Sequence, residues 1–373
     1  MLKLDGLVNR GAKEACNEIE REAGRATAAK SIMRPGPKNL ITDVPGLRIG
    51  QAHSERLRSG VTVILPEISA RGAADIRGGG PGTRETETMA DWGTVNEVHA
   101  ITLSGGSAFG LDAATGVQSF LREHGVGFAV GEVRVPIVPQ AILFDLNNGG
   151  DKAWGKHPPY RDMAYEAAST ASDDFALGSA GAGYGASIAW RALGLRMMGG
   201  LGSASCVMDS GITIGALAAV NAAGTVTIGD SPHFWAAPFE MDGEFGGFGF
   251  PTTLPASARG VITKGARPQN TTLAVIATDA ALAKADLKRL AMMAHTGLAR
   301  AINPVHTPID GDIVFAMSTG DRHLADGPLG LGVLGAVAAN TLARAIARGI
   351  YEAGGPAVVS DYPAYRDTFP RSA

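Results

Sequence analysis

GARPQNTTLAVIATDA, residues 265–280, is the stretch whose reading decides the fold. A loop bearing Gly and Pro runs to Asn270, and a nearly continuous apolar run follows from Thr271 to Thr278. The length and composition of that run predict a buried strand. A hydroxyl on the first residue of a rigid strand is well placed for a nucleophile, because the scaffold holds it still. If the Asn270–Thr271 bond were cut, Thr271 would carry a free α-amine beside its own hydroxyl. Such an amine titrates at about 7.7–8.0, close enough to neutrality to act as a base. The same residues also read as an ordinary loop-to-strand junction, and alone they do not decide between the two.

The rest of the composition sets the bounds. A chain of 373 residues with 45% hydrophobic and 18% charged side chains can form a substantial core, which argues against disorder. The 51 glycines follow no collagen-like period and predict tight turns and close backbone approaches. A net charge of −3 offers no general attraction to nucleic acid or to anionic membranes. Cys16 and Cys206 are too few for a disulfide framework and fit a reducing compartment. No apolar segment of signal-peptide type opens the chain, and the apolar stretches at 212–223 and 331–350 are interrupted by Gly, Asn or Arg. The expectation is a cytoplasmic protein that touches no membrane.

In chain order, residues 1–38 read as an extension stopped by Pro35-Gly36-Pro37. Leu40 to Gly50 and Val61 to Pro66 read as strands, and Arg71 to Thr88 as a solvated loop or a backbone nest forming a site wall. Residues 99–125 give strand, Gly-rich turn and helix, with Ser107 on the turn. The nucleophile-elbow pattern G-x-S-x-G fails there, because Phe109 stands where its second Gly belongs. An irregular strand at 135–146 and a helix near 161–172 follow. The small-residue segments 178–190 and 197–208 read as close backbone packing or as N–H donors for an oxyanion. Ile212–Asn221 and Thr225–Ile228 read as a hairpin with Asn221 at its turn, and 229–260 as a mobile loop or a lid. Asp279 is the expected N-cap of a helix from Ala281 to Ile302 that buries Leu287, Leu290, Ala294 and Leu298. A turn carrying Asp310 and Asp312, a strand, and a long helix from Leu331 to Tyr351 complete the chain.

None of the eight histidines shows metal-ligand spacing, so neither a metal nor a cofactor is expected. Asp310 and Asp312 flank Gly311; they could orient an ammonium and a hydroxyl, or simply form an Asx-type turn into the strand.

NTTLAVIATDA, followed by a helix and then RAINPVHTPIDGDIVFAMSTGD, resembles the C-terminal part of the self-processing aminopeptidases related to the L-aminopeptidase/D-esterase DmpA. That family includes β-peptidyl aminopeptidases and nylon-oligomer hydrolases. The resemblance runs upstream through ALAAVNAAG, GGLGSAS, GSAGAGYGAS, VPIVPQAILFDL, VHAITLSGGSAFGLDAA and RGGGPGTRET, so that it covers roughly residues 39–350.

It implies an α+β fold, a four-layer αββα sandwich of the DmpA/ornithine acetyltransferase type, akin to N-terminal-nucleophile hydrolases. It implies self-cleavage between Asn270 and Thr271, leaving 39–270 and 271–373 as two parts of one domain. Thr271 would then be the nucleophile, Asn221 would help hold the oxyanion, and Asp310 and Asp312 would be the paired acids beside it. Gln140, Tyr184 and Arg191 stand as candidates for substrate or oxyanion contacts.

The chain departs from the family at one clear place. Trp190 occupies the position of a family Lys, with Arg191 one residue later. Gln140 replaces a Glu that in the β-peptidyl branch contacts the substrate's ammonium, which implies weak selection for a free N-terminus unless Glu85 or Glu87 reaches in. The expected substrates are small peptides or amino-acid amides, and relatives suggest an oligomer of four αβ pairs. An acyltransferase using the same acyl-enzyme and an uncleaved, non-catalytic scaffold are the alternatives.

Overall fold

The computed structural model describes residues 33–265, 270–355 and 360–370. Cys16 and most of the N-terminal extension therefore lie outside the described residues, while Cys206 is buried. The first half of the chain supplies β1 (Leu47–Ser54), β2 (Ser59–Pro66), β3 (Arg71–Ile76), β4 (Thr83–Arg84), β5 (Ile101–Ser104) and α1 (Ala113–Glu123). Next come β6 (Phe128–Val130), β7 (Val133–Val135), β8 (Gln140–Ile142), α2 (Tyr160–Ser169), β9 (Ser187–Trp190) and β10 (Ala192–Met198). The rest is β11 (Gly200–Val207), β12 (Thr213–Asn221), β13 (Thr271–Ala280), α3 (Lys284–Ala301), β14 (Ile313–Arg322), α4 (Gly327–Tyr351) and a one-turn α5 (Tyr365–Thr368).

Two five-stranded sheets form the middle of the molecule, in the orders β1-β2-β5-β8-β4 and β11-β12-β13-β14-β3. Ile49, Ile64, Leu103, Leu217, Leu273, Val275 and Phe315 fill the space between them. Val61 and Val63 on the outer face of the first sheet meet Val117 and Leu121 of α1 and Met163 and Ala164 of α2. On the far side of the second sheet, Ala274 and Ile276 meet Leu287, Leu290 and Leu298 of α3 and Leu342 and Ile346 of α4. The layers are helix, sheet, sheet, helix, the αββα sandwich that the resemblance implies.

This layering explains the continuous apolar run with which the reading began. Alternate β13 residues enter different cores, Leu273, Val275 and Ala277 facing the other sheet and Ala274 and Ile276 facing α3 and α4. A strand covered on both faces loses the polar half of the usual alternation. β13 is also central: antiparallel to β12 with Asn221 opposite Thr271, and parallel to β14 on its other side. The four helix-facing residues expected of 281–302 are buried. Helix α4 is long and apolar enough to cross a membrane by length and composition, but 61% of that window is buried inside the molecule.

Several local expectations are corrected. The first strand begins at Leu47 rather than Leu40, because Pro45 and Gly46 (φ +79°) break the chain after a short turn at Ile41–Asp43. Arg71 to Thr88 is not loop throughout, since its first six residues are β3 and pair with β14. β12 forms no hairpin with Thr225–Ile228. Both of its edges are taken by β11 and β13, and Asn221 is its last strand residue rather than a turn. Asp279 does not cap α3, which starts at Lys284; it lies inside β13, accepts from Thr213 N–H at 2.8 Å and pairs with Arg322 at 2.9 Å. The 229–260 segment is anchored rather than free. Phe234 and Phe245 are buried edge to face at 5.3 Å, and Glu244 meets the fully buried Arg344 at 2.5 Å. Arg34, near the end of the extension, bridges Val207 at the edge of β11.

Candidate active site

The Asn270–Thr271 junction is buried at the mouth of the layer between the sheets. Gly311 N–H donates to the Asn270 carbonyl at 3.1 Å, and the Thr271 hydroxyl donates to the same oxygen. Residue 311 has to be small for this contact, since a Cβ there would lie 2.7 Å from Thr271 Oγ1. The nucleophile candidate, its own preceding carbonyl and a backbone donor thus meet at one point. Asn221 shares the strand end with Thr271 as its register partner, so the two side chains lie on the same face of the sheet.

Asp310 and Asp312 are both buried beside this point. Asp312 Oδ1 accepts from Thr272 N–H at 2.8 Å, while its Oδ2 accepts from His306 N–H at 3.0 Å and meets His306 Nδ1 at 2.9 Å. Asp310 accepts from Ala223 N–H at 3.1 Å and from the backbone and hydroxyl of Thr307 at 3.1 and 2.5 Å. Burial, with repulsion from Asp312 second, holds the Asp310 carboxyl above the ordinary carboxylate range. In the uncleaved chain both acids accept backbone bonds around the turn, Asp312 from Thr272 and His306 and Asp310 from Ala223 and Thr307.

The glycine-rich segment after β3 explains how the acids are held. Arg77 N–H donates to Asp312 O at 2.9 Å and Gly80 N–H to Asp310 O at 2.7 Å. A Cβ on Gly78 would sit 2.4 Å from both Asp310 O and Asp312 N, so only glycine lets the two backbones lie together. The segment, exposed at Arg77, Gly79 and Gly80, is a strap across the acids. Behind it, the His306 ring lies 4.9 Å from that of His295, whose Nε2 meets Asp75 O at 2.8 Å. Asp75 in turn pairs with Lys288 and Arg77, each at 2.7 Å.

Sequence reasoning missed Lys264. It lies in the loop before the junction, buried, and its N–H donates to Ala223 O at 3.1 Å. Its Nζ donates to Asn221 O at 3.1 Å and to Asn221 Oδ1 at 2.9 Å. Burial above all, then the Arg196 charge, pulls its pKa well below the ordinary lysine value, while Asp310 pulls it the other way. A lone Lys between Thr and Gly carries no motif. The available hint was its position six residues before Asn270.

Three residues expected to touch substrate have other partners in this structure. Gln140 is fully buried, but Oε1 accepts from Ala114 N–H at 2.9 Å and Nε2 donates to Gly110 O at 2.5 Å, which ties its amide to the start of α1. Tyr184 stacks on His53 with ring centroids 4.4 Å apart. Arg191 is exposed at φ +60°, its guanidinium 4.0 Å above the Trp190 ring, so it does not replace an inward cation. Glu85 is held by Val138 N–H at 2.9 Å, and Glu87 is exposed.

A family model described as peptidase family S58 matches residues 39–360. The chain belongs to peptidase family S58. An uncharacterized aminopeptidase of Mycobacterium tuberculosis is 44% identical over 355 residues, covering 89% of this chain and 98% of that protein. A 6-aminohexanoate-oligomer endohydrolase of Paenarthrobacter ureafaciens is 29% identical over 320 residues, covering 80% of this chain and 79% of its own length. Among solved structures, a Burkholderia sp. beta-aminopeptidase superposes with a TM-score of 0.65 at 21% identity, over 90% of this chain and 95% of that one. This S58 protein is a hydrolase, a peptidase or amidase of the DmpA type with the αββα fold.

Proposed function

We propose that this chain cuts itself between Asn270 and Thr271 and that Thr271 then hydrolyses amide bonds of small peptides or amino-acid amides. The observation that carries this reading is the Asn270 carbonyl held between Gly311 N–H at 3.1 Å and the Thr271 hydroxyl. Attack of Oγ1 on that carbonyl carbon breaks the Asn270–Thr271 C–N bond, and the nitrogen takes a proton. The ester so formed is opened by water, giving an Asn270 carboxylate and a free Thr271 α-amine. The Gly311 N–H faces the oxygen on which negative charge develops, where a preorganised donor is worth most.

In turnover the same hydroxyl attacks a substrate carbonyl while the α-amine takes its proton, and water releases the acyl group. Asn221, opposite Thr271, supplies an amide donor to the oxyanion, and Asp310 and Asp312 hold the new N-terminus in register through the Thr272 and Ala223 backbone.

Intact-mass measurement of purified protein tests this. Wild type should give a fragment of 270 residues and one of the remaining 103, whereas Thr271→Ala should stay a single 38.3 kDa chain without activity on amino-acid p-nitroanilides. A cut at the same bond in Thr271→Ala would remove Thr271 from the chemistry.

A further inference from the structure

Lys264 is tied at three points to the end of β12 and the residues just after it, by its own N–H to Ala223 and by Nζ to the carbonyl and side chain of Asn221. Burying an ammonium carries a large desolvation penalty unless acceptors and opposite charge surround it. Here two oxygens of Asn221 and the nearby Asp310 provide that surrounding, with Arg196 opposing it. So expensive a group, held against one carboxamide, points to a role at that carboxamide.

The two ends of an Asn side chain have nearly the same shape but opposite polarity, and an ammonium has only donors. Ser187 N–H at 3.0 Å therefore requires oxygen at the Oδ1 position, and Lys264 Nζ donates to that oxygen at 2.9 Å. On the other side, Asn221 Nδ2 donates to Phe144 O at 2.9 Å, which requires nitrogen there. The amide is fixed in one sense, its donor end on the Phe144 carbonyl just after β8 of the other sheet, from the sheet face it shares with Thr271.

We infer that Lys264 is a positioning residue that locks the Asn221 carboxamide with its N–H donors on the reacting side. This rests on Asn221 acting as oxyanion donor, as proposed above. With Lys264 absent, only Ser187 N–H and Phe144 O hold the amide, and the opposite orientation, which would set a carbonyl oxygen against the developing negative charge, is penalised less.

A double-mutant cycle on self-cleavage and turnover tests the role. Loss of an oxyanion donor costs about 10²–10³-fold in rate, so Asn221→Ala should slow both reactions by that order. Lys264→Met, leaving a donor that is present but unlocked, should cost about 10–10²-fold, in kcat more than in KM. In the Asn221→Ala background Lys264→Met should add less than about threefold, because both changes act through one group. Where slow processing makes precursor accumulate, its conversion followed by intact mass gives the rate. Should Lys264→Met fail to fold, Lys264→Gln, which keeps a neutral donor, takes its place with a smaller expected loss. Equal losses in both backgrounds, or wild-type rates in the single variant, would overturn the assignment. Neither result bears on Thr271, which stands or falls with its own alanine variant.

Discussion

Gly311→Ala is the most direct probe of the junction. A methyl added at Gly311 would stand 2.7 Å from Thr271 Oγ1, 2.8 Å from Gly80 O and 3.3 Å from Pro81 Cα. Gly80 O cannot easily retreat, because Gly80 N–H is bonded to Asp310 O at 2.7 Å across the strap. The part free to turn is the Thr271 side chain, and turning takes its hydroxyl off the Asn270 carbonyl. Overpacking a close site costs about 1–3 kcal/mol. If that cost falls on the reactive rotamer, at about 1.4 kcal/mol per factor of ten, self-cleavage slows by roughly 10–10²-fold. The assay is a time course of intact mass after rapid purification. Gly80→Ala is the matched control, since a Cβ there finds its nearest neighbour, Asp310 O, at 3.6 Å. Gly311→Ala processed as fast as wild type, or Gly80→Ala slowed as much, would refute the argument from contact geometry.

Two further outcomes concern stability. Arg344→Met leaves Glu244 buried without the guanidinium that meets it at 2.5 Å, and breaking such a pair costs about 3–5 kcal/mol; chemical denaturation should show the loss, while wild-type stability would mark the pair as dispensable. Burial, aided by the charges of His306 and Arg77, lowers the His295 pKa to about 4 against the ordinary 6.5. Between those values the unfolded chain binds a proton that the native one refuses, so native stability falls as pH drops through the window, by roughly 3 kcal/mol in all. His295→Leu should flatten the dependence of the urea midpoint between pH 7 and 4, and an unchanged slope would show that other groups carry it.

The sequence made the layers legible wherever burial was complete. The apolar run of β13, the helical face at Leu287, Leu290, Ala294 and Leu298, and the long helix α4 all register directly as hydrophobic pattern. Partner choice did not register. Nothing in Thr225–Ile228 says that β12 already has two neighbours, and nothing in Asp279 says that Thr213 and Arg322 will hold it inside a strand. At the site, Thr271, Asn221, Asp310 and Asp312 were found through motifs and do come together, Asn221 by strand register and the acids through the 310–312 turn. Gln140 was chosen by alignment with a substrate-reading residue, but the structure ties both ends of its amide to the start of α1. Lys264 escaped notice because its role depends on a tertiary contact with residues 43 positions away.

The order of strands in the second sheet bears on how the molecule could be assembled. β13 and β14 lie side by side with β12 on one flank and β3 on the other, so the residues after the junction are bracketed by residues before it. Two chains cut at Asn270 would share one hydrogen-bonded ladder and two cores, and neither could leave without opening the sheet at two seams. Made as separate polypeptides, they would have to insert a strand pair into a gap between preformed edges, with no tether to hold the ends in reach. Synthesis as one chain supplies that tether, and the entropic cost of closing a loop grows only slowly with its length. A cut in the link after folding would then remove a connection that is no longer needed to keep the halves together.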